Sequence, residues 1–139
     1  MKKIIYILIL LAVYNSCKKD TVVSWYSDNF ETMEEYFESM EKAKTDKEII
    51  EAIDDYRGKI KKLAQRGQAL KEEIKKIDPM NPPEELQDQF DKSIELMGKF
   101  VLVKMKLMRV SKSNPNVVKA QRKLTEAQGK ISQFYSVFK

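Results

Sequence analysis

The chain has 139 residues, of which 42% are apolar, 34% charged and 9% aromatic, with no histidine and one cysteine, so it has room for one modest domain. It therefore lacks a histidine base or ligand, an internal disulfide and a thiolate zinc cluster, and neither a metal nor a cofactor is expected. Four glycines and four prolines exclude collagen-like and linker-like compositions, the apolar fraction excludes full disorder, and a formal charge of +5 is too small to point to nucleic acid.

Met1-Lys2-Lys3 makes a positive start, and Ile4 to Val13 is an uncharged apolar run of ten residues. In a helix this run rises only about 15 Å, half of a bilayer's hydrocarbon core, so it fits the apolar part of an export signal better than a transmembrane span. Tyr14-Asn15-Ser16 leads to the lone Cys17, followed at once by Lys18, Lys19 and Asp20. A small residue before a lone cysteine at the end of a short apolar run resembles the lipobox of bacterial lipoproteins. Ser16 fits that pattern, whereas Tyr14 and Asn15 stand where the family has leucine and a small residue.

The resemblance covers residues 1 to 20 and implies a signal peptide over 1–16. Cys17 would then be the mature first residue, with a diacylglycerol thioether on sulfur and an acyl chain on its amino group. Each buried methylene adds about 0.8 kcal/mol, so two or three chains hold a protein where one does not, and the lipid would be the membrane anchor. Lys18 and Lys19 resemble the residues that follow the cysteine in lipoproteins passed to an outer membrane. The implied address is the bacterial cell envelope, outer membrane over inner, with a periplasmic or a surface-exposed face equally open.

Removing Lys2 and Lys3 from the 26 basic residues leaves 24 against 21 acidic, a balance of +3 with no concentrated basic stripe, and no nucleic-acid partner is expected. Residues 17–28 are expected to be the lipidated cysteine and a tether. Trp25 and Tyr26 in it would either rest at the membrane interface or, the reading given more weight, fold back onto the rest of the chain. Residues 29–139 are expected to form a helical bundle, because helical periodicity dominates and strand alternation is absent.

Asp28-Asn29-Phe30-Glu31 has the pattern of a capping box and opens a first, short helix with Phe30, Met33, Phe37 and Met40 on one face. A second box, Thr45-Asp46-Lys47-Glu48, opens a helix whose apolar positions are Ile49, Ile53, Tyr56, Ile60, Leu63, Gly67, Leu70, Ile74 and Ile77. Strict alternation of four- and three-residue steps keeps a narrow seam facing a partner, the condition for coiled-coil-like packing. Asp78-Pro79-Met80-Asn81-Pro82-Pro83 ends it, and Pro83 with Glu84 and Glu85 suits the first turn of the next helix.

That third helix carries Leu86, Phe90, Ile94, Met97, Val101, Met105 and Met108 toward Ser111. Asn114-Pro115 opens a fourth with Val117, Ala120, Leu124, Ala127, Ile131, Phe134 and Phe138. Three helices of about 24 to 32 residues span about 36 to 48 Å, and short turns force successive ones antiparallel. The expected fold is all-α, an antiparallel three-helix bundle with a short additional N-terminal helix over part of one groove.

Gly58, Gly67, Gly98 and Gly129 all fall inside helices, where each costs about 1 kcal/mol relative to alanine. Gly67 lies on the seam, which points to close approach between helices or to a weak point where the bundle bends. From Phe100 to Val110 the third helix is apolar nearly all round, with three basic residues and no acid. Contact with the first helix and the tether would cover part of it. The sharper reading is a partner surface made by Phe100, Leu102, Val103, Met105, Lys106, Leu107 and Val110, with flexible methionines for an adaptable contact and lysines for an acidic partner or anionic headgroups.

Lys59, Lys61, Lys62, Lys71, Lys75 and Lys76 read as the solvated face of a long helix. Asp54-Asp55 and Glu34-Glu35 do not make a catalytic pair, since helix neighbours point about 100 degrees apart. The sequence carries no phosphate loop, calcium loop, nucleophile elbow or pair of Glu-x-x-His motifs. Non-covalent recognition of a protein partner is therefore expected over catalysis. The alternative is a structural or spacer lipoprotein that self-associates through the seam from Ile49 to Ile77.

Overall fold

The computed structural model describes residues 21–134; the expected signal peptide, the expected lipobox with Cys17, and Phe138 lie outside the described residues. The described chain is all-α. Helix α1 is Val22–Lys42, α2 Asp46–Ala69, α3 Lys71–Ile74, α4 Gln87–Ser111 and α5 Pro115–Ser132, with a 3-10 turn at Glu84–Leu86 before α4 and no strand among the described residues.

The first helix starts six residues before the expected capping box. Thr21 is its N-cap: the Thr21 hydroxyl accepts from the Ser24 N–H, and the Ser24 hydroxyl accepts from the Thr21 N–H. Serine in place of an acid at the third position hides this box from a search for Glu or Gln. The expected tether boundary at residue 28 is corrected accordingly, and α1, with 21 residues, is a full member of the fold. Trp25 and Tyr26 fold back completely, at 0% and 1% exposure, as the weightier reading had it. Asp28, expected to be a cap, instead pairs with Arg66 at 2.6 Å.

Thr45 caps α2 as expected, with Glu48 Oε2 accepting from the Thr45 and Lys44 N–H groups at 2.9 and 2.7 Å. Those two donors stabilise the Glu48 carboxylate and hold its pKa below the usual value. The seam from Ile49 through Ile74 is buried at every position, Gly67 included. It is spent on the chain's own core, against α1 and α5, so it offers no free surface for a second copy. The helix is shorter than expected: it breaks at Leu70, and α3 ends at Ile74 with Ile77 only partly covered.

Pro83 precedes the 3-10 turn instead of opening the α-helix, which begins at Gln87. Asn114 caps α5 as expected, accepting from the Asn116 N–H, and its amide also donates to Asp46 at 2.8 Å. The expected α5 face from Val117 through Phe134 is buried.

Ring and hydrogen-bond contacts give the relative directions. Tyr26 meets Phe90, Phe37 meets Phe100, and Lys106 meets Met40, so α4 runs beside α1 in the same direction. Asn114 meets Asp46, and Phe134 lies over Gly67, so α5 runs beside α2 in the same direction. One end of the core is aromatic: Trp25 stands edge-on to Tyr26 and Phe134, and its Nε1 donates to the Leu63 carbonyl at 2.8 Å. At mid-height Tyr36 and Tyr56 stack in parallel at 4.3 Å.

Candidate functional site

Helix α4 is apolar on two opposite sides and can bury only one. The buried side is Leu96, Val103 and Leu107, with Phe90 and Val110 half-covered, and it packs mainly on α1. The face expected to be core from sequence, Ile94, Met97, Val101, Met105 and Met108, points outward at 54 to 70% exposure. Both stripes fit three- and four-residue spacing, so periodicity alone could not choose between them. Contacts chose: Phe37 takes the edge of Phe100, and Lys106 reaches the end of α1.

The seven residues expected to form a partner surface divide accordingly. Leu102 and Met105 are exposed at 68% and 60%, and Phe100 at 49%. Val103 and Leu107 are buried at 6% and 9%, which corrects their assignment to a surface. Val110 is half-buried against the core. Lys106 is occupied: its ammonium donates to the Met40 carbonyl at 2.5 Å and to the Ala43 carbonyl. Carbonyls at a helix end have no partner within the helix, and a cation there also meets the negative end of the dipole. Lys104 rests near the Phe100 ring, 6.0 Å from its centre.

The outward stripe carries a feature that the expected list omitted. Ile94, Gly98, Val101, Met105 and Met108 step by four, three, four and three, the same rhythm as the buried α2 seam. A Cβ added at Gly98 would meet nothing, whereas one at Gly67 would strike Phe134 and Trp25 within 2.9 to 3.1 Å. Gly67 thus serves close approach inside the fold. Gly98 sits on an open ridge.

Clefts flank α4. One of about 740 Å³ lies toward α1 and the start of α2, lined by Phe37, Met40, Ile49, Leu102, Lys99 and Arg109 among others. Another of about 290 Å³ opens between α4 and α5 over Tyr36, Tyr56 and Leu124. Burial pushes the Tyr56 phenol up to about 12, with a hydrogen bond to Gln128 partly offsetting it. Burial raises Tyr36 still further, with the facing Tyr56 adding to it. A neutral phenol pair of this kind is core and has no base beside it.

Charge is divided along α4. From Leu96 to Thr125 the chain has eight basic residues and no acid, Lys99, Lys104, Lys106, Arg109 and Lys112 among them. The first part of the helix and its lead-in hold Glu84, Glu85, Asp88, Asp91 and Glu95 against Lys92. The other acidic pairs have structural uses: Glu35 and Asp55 converge on Lys59 at 2.6 and 3.1 Å, and Asp54 pairs with Arg57 at 3.1 Å. Among the described residues no group of three potential ligand side chains could hold a metal ion, and no helix is long and apolar enough to cross a membrane. No protein-family model, no characterised protein and no solved structure matches this chain.

Proposed function

We propose that this chain is an exported, lipid-anchored envelope protein that works by non-covalent recognition of a protein through the outward face of α4, without catalysis. The observation that carries the reading is that face itself. Seven large apolar side chains between Ile94 and Met108 lie 49 to 70% exposed on one helix, more than a monomer's surface usually leaves open in one place. Four of its neighbours are cations, and three of its members are pliable methionines, a composition suited to a soft, directed contact.

In this reading α2, α4 and α5, successive ones antiparallel, form the bundle expected from the sequence, with α1 as its fourth member. Four peptide steps separate Cys17 from Thr21, a reach of about 14 Å at most, so a lipid on Cys17 holds the start of α1 near the bilayer. Helix α4 runs the same way as α1 and rises about 37 Å over its 25 residues, so its basic, apolar part lies at the opposite end of the bundle from the tether.

Two experiments test the proposal. Mass spectrometry of the membrane fraction should find acylated Cys17 as the N-terminal residue, and Cys17→Ala should leave the protein unprocessed or released. A photoreactive amino acid at position 102, activated in intact cells, should yield a protein adduct that Met97→Glu removes. An unmodified chain beginning at Met1 refutes the anchor, and the absence of any adduct refutes the docking face.

A further inference from the structure

We infer that the occupant of the α4 face is a second copy of this chain, its α4 laid antiparallel across the first. This rests on the reading of that face as a docking surface and names its partner. Ile94, Gly98, Val101, Met105 and Met108 form a ridge with heptad steps and no cover. A ridge of this rhythm is complementary to a helix carrying the same rhythm, and glycine within it lets two backbones come close. The seam of α2 cannot be that helix, because its residues are already buried in the chain's own core.

Charge selects the antiparallel arrangement. Val101 is the midpoint of the ridge from Ile94 to Met108, so a two-fold axis there sets Ile94 against Met108 and Met105 beside Gly98 of the other copy. It also sets the acidic start of each α4, with Asp88, Asp91 and Glu95, against the basic end of the other, with Arg109 and Lys112. A parallel pairing would place Lys99, Lys104 and Arg109 of one helix against the same three of the other, Lys106 being held at the end of α1. Like charges in register are unfavourable, and opposite charges guide encounter as well as orientation. The exposed apolar side chains amount to on the order of 700 Å² on each copy, close to one partner's share of a standard-size interface.

The register makes a crosslinking test specific. Full-length chains with Val101→Cys, Ile94→Cys or Met108→Cys are expressed in cells and treated with a short, membrane-permeant bismaleimide, with the unsubstituted chain as control for Cys17. Val101→Cys should give a species of twice the chain's mass. Ile94→Cys alone and Met108→Cys alone should crosslink at least tenfold less, because like positions are about 21 Å apart along the helix. Co-expressing those two should restore the dimer. Adding Met105→Glu to Val101→Cys should reduce the crosslink at least tenfold while the circular dichroism spectrum stays that of the folded chain.

Absence of the Val101→Cys dimer overturns the inference, as does a crosslink at Ile94→Cys equal to that at Val101→Cys. The photoreactive residue at position 102 separates the two levels. An adduct with a foreign protein leaves the docking face standing and removes self-pairing. A lipid adduct puts the membrane in its place and removes both, as does no adduct at all.

Discussion

Gly67→Ala offers the most direct test of how the core is assembled. In an ordinary helix interior the change stabilises by about 1 kcal/mol, because glycine has more backbone freedom to lose. Here the new methyl carbon would sit 2.9 Å from Phe134 Cε2, 3.0 Å from Trp25 Nε1 and 3.1 Å from Trp25 Cε2. The indole cannot retreat cheaply. It is fully buried, and its N–H is tied to the Leu63 carbonyl one turn back on the same helix as Gly67. Moving it gives up that hydrogen bond, about 1 kcal/mol, and disturbs edge-on contacts worth about 0.5 to 1.5 kcal/mol each. Overpacking of this kind costs about 1 to 3 kcal/mol, so after the helix gain Gly67→Ala should fail to stabilise and should cost up to about 2 kcal/mol. Gly58→Ala and Gly129→Ala, whose Cβ would meet nothing, should each stabilise by up to about 1 kcal/mol. Urea unfolding followed by circular dichroism measures all three. The cost at Gly67 should also shrink in a Phe134→Leu background, since the two sites share the clash. Equal stabilisation by Gly67→Ala and Gly58→Ala would refute the close approach at this end of the core.

Removing residues 18–28 should abolish cooperative unfolding, because it deletes Trp25 and Tyr26 from the core; a tether would be dispensable, so an unchanged melting temperature refutes their structural role. Lys106→Met keeps the side-chain length but strips a cation from the carbonyls at the end of α1, and should lower stability by about 1 kcal/mol in urea titrations, no change counting against the cap. Tyr26 and Tyr56 are pushed up to about 12 and Tyr36 beyond that, so the folded chain holds protons that the unfolded chain releases. Stability is therefore intact below about pH 10 and falls as pH rises through the folded values, by up to about 1.4 kcal/mol per pH unit for each ring. Urea midpoints at about pH 8 and 11 check this, and phenolate absorbance should appear together with unfolding. Glu48 has the opposite sign: its lowered pKa contributes stability above the unfolded value, lost as pH falls through the folded one, so Glu48→Ala should lower the melting temperature at neutral pH and not in acid.

The helices were legible wherever one apolar stripe faced one polar stripe. The α2 seam and the α5 face were correct at every described position through Ile74 and Phe134, because charged residues fill the remaining sides and leave no second choice. Capping chemistry was legible where it used Thr with Glu or Asn with Pro, and illegible where it used Thr21 with Ser24. That one omission moved the start of α1 and turned a buried tryptophan's helix into an expected tether. The break at Leu70 had no clear sequence signal either, since the apolar rhythm runs straight through it.

Helix α4 failed for a reason that bears on function. Its sequence supplies two apolar stripes of equal rhythm, Leu96, Phe100, Val103, Leu107 and Val110 on one side and Ile94, Gly98, Val101, Met105 and Met108 on the other, and the second is left outside. One helix cannot bury both sides against its own chain, so the second stripe is apolar surface left over after folding, and such surfaces concentrate at interaction sites. The buried side of α4 supports that view: three fully covered side chains, clefts on both flanks and a lysine bridging to α1 make it the most weakly held long helix. Covering its outer ridge would bury that surface without altering any contact already made. That is why charge substitutions at Leu102 or Met105 should spare the fold and affect only what the fold meets.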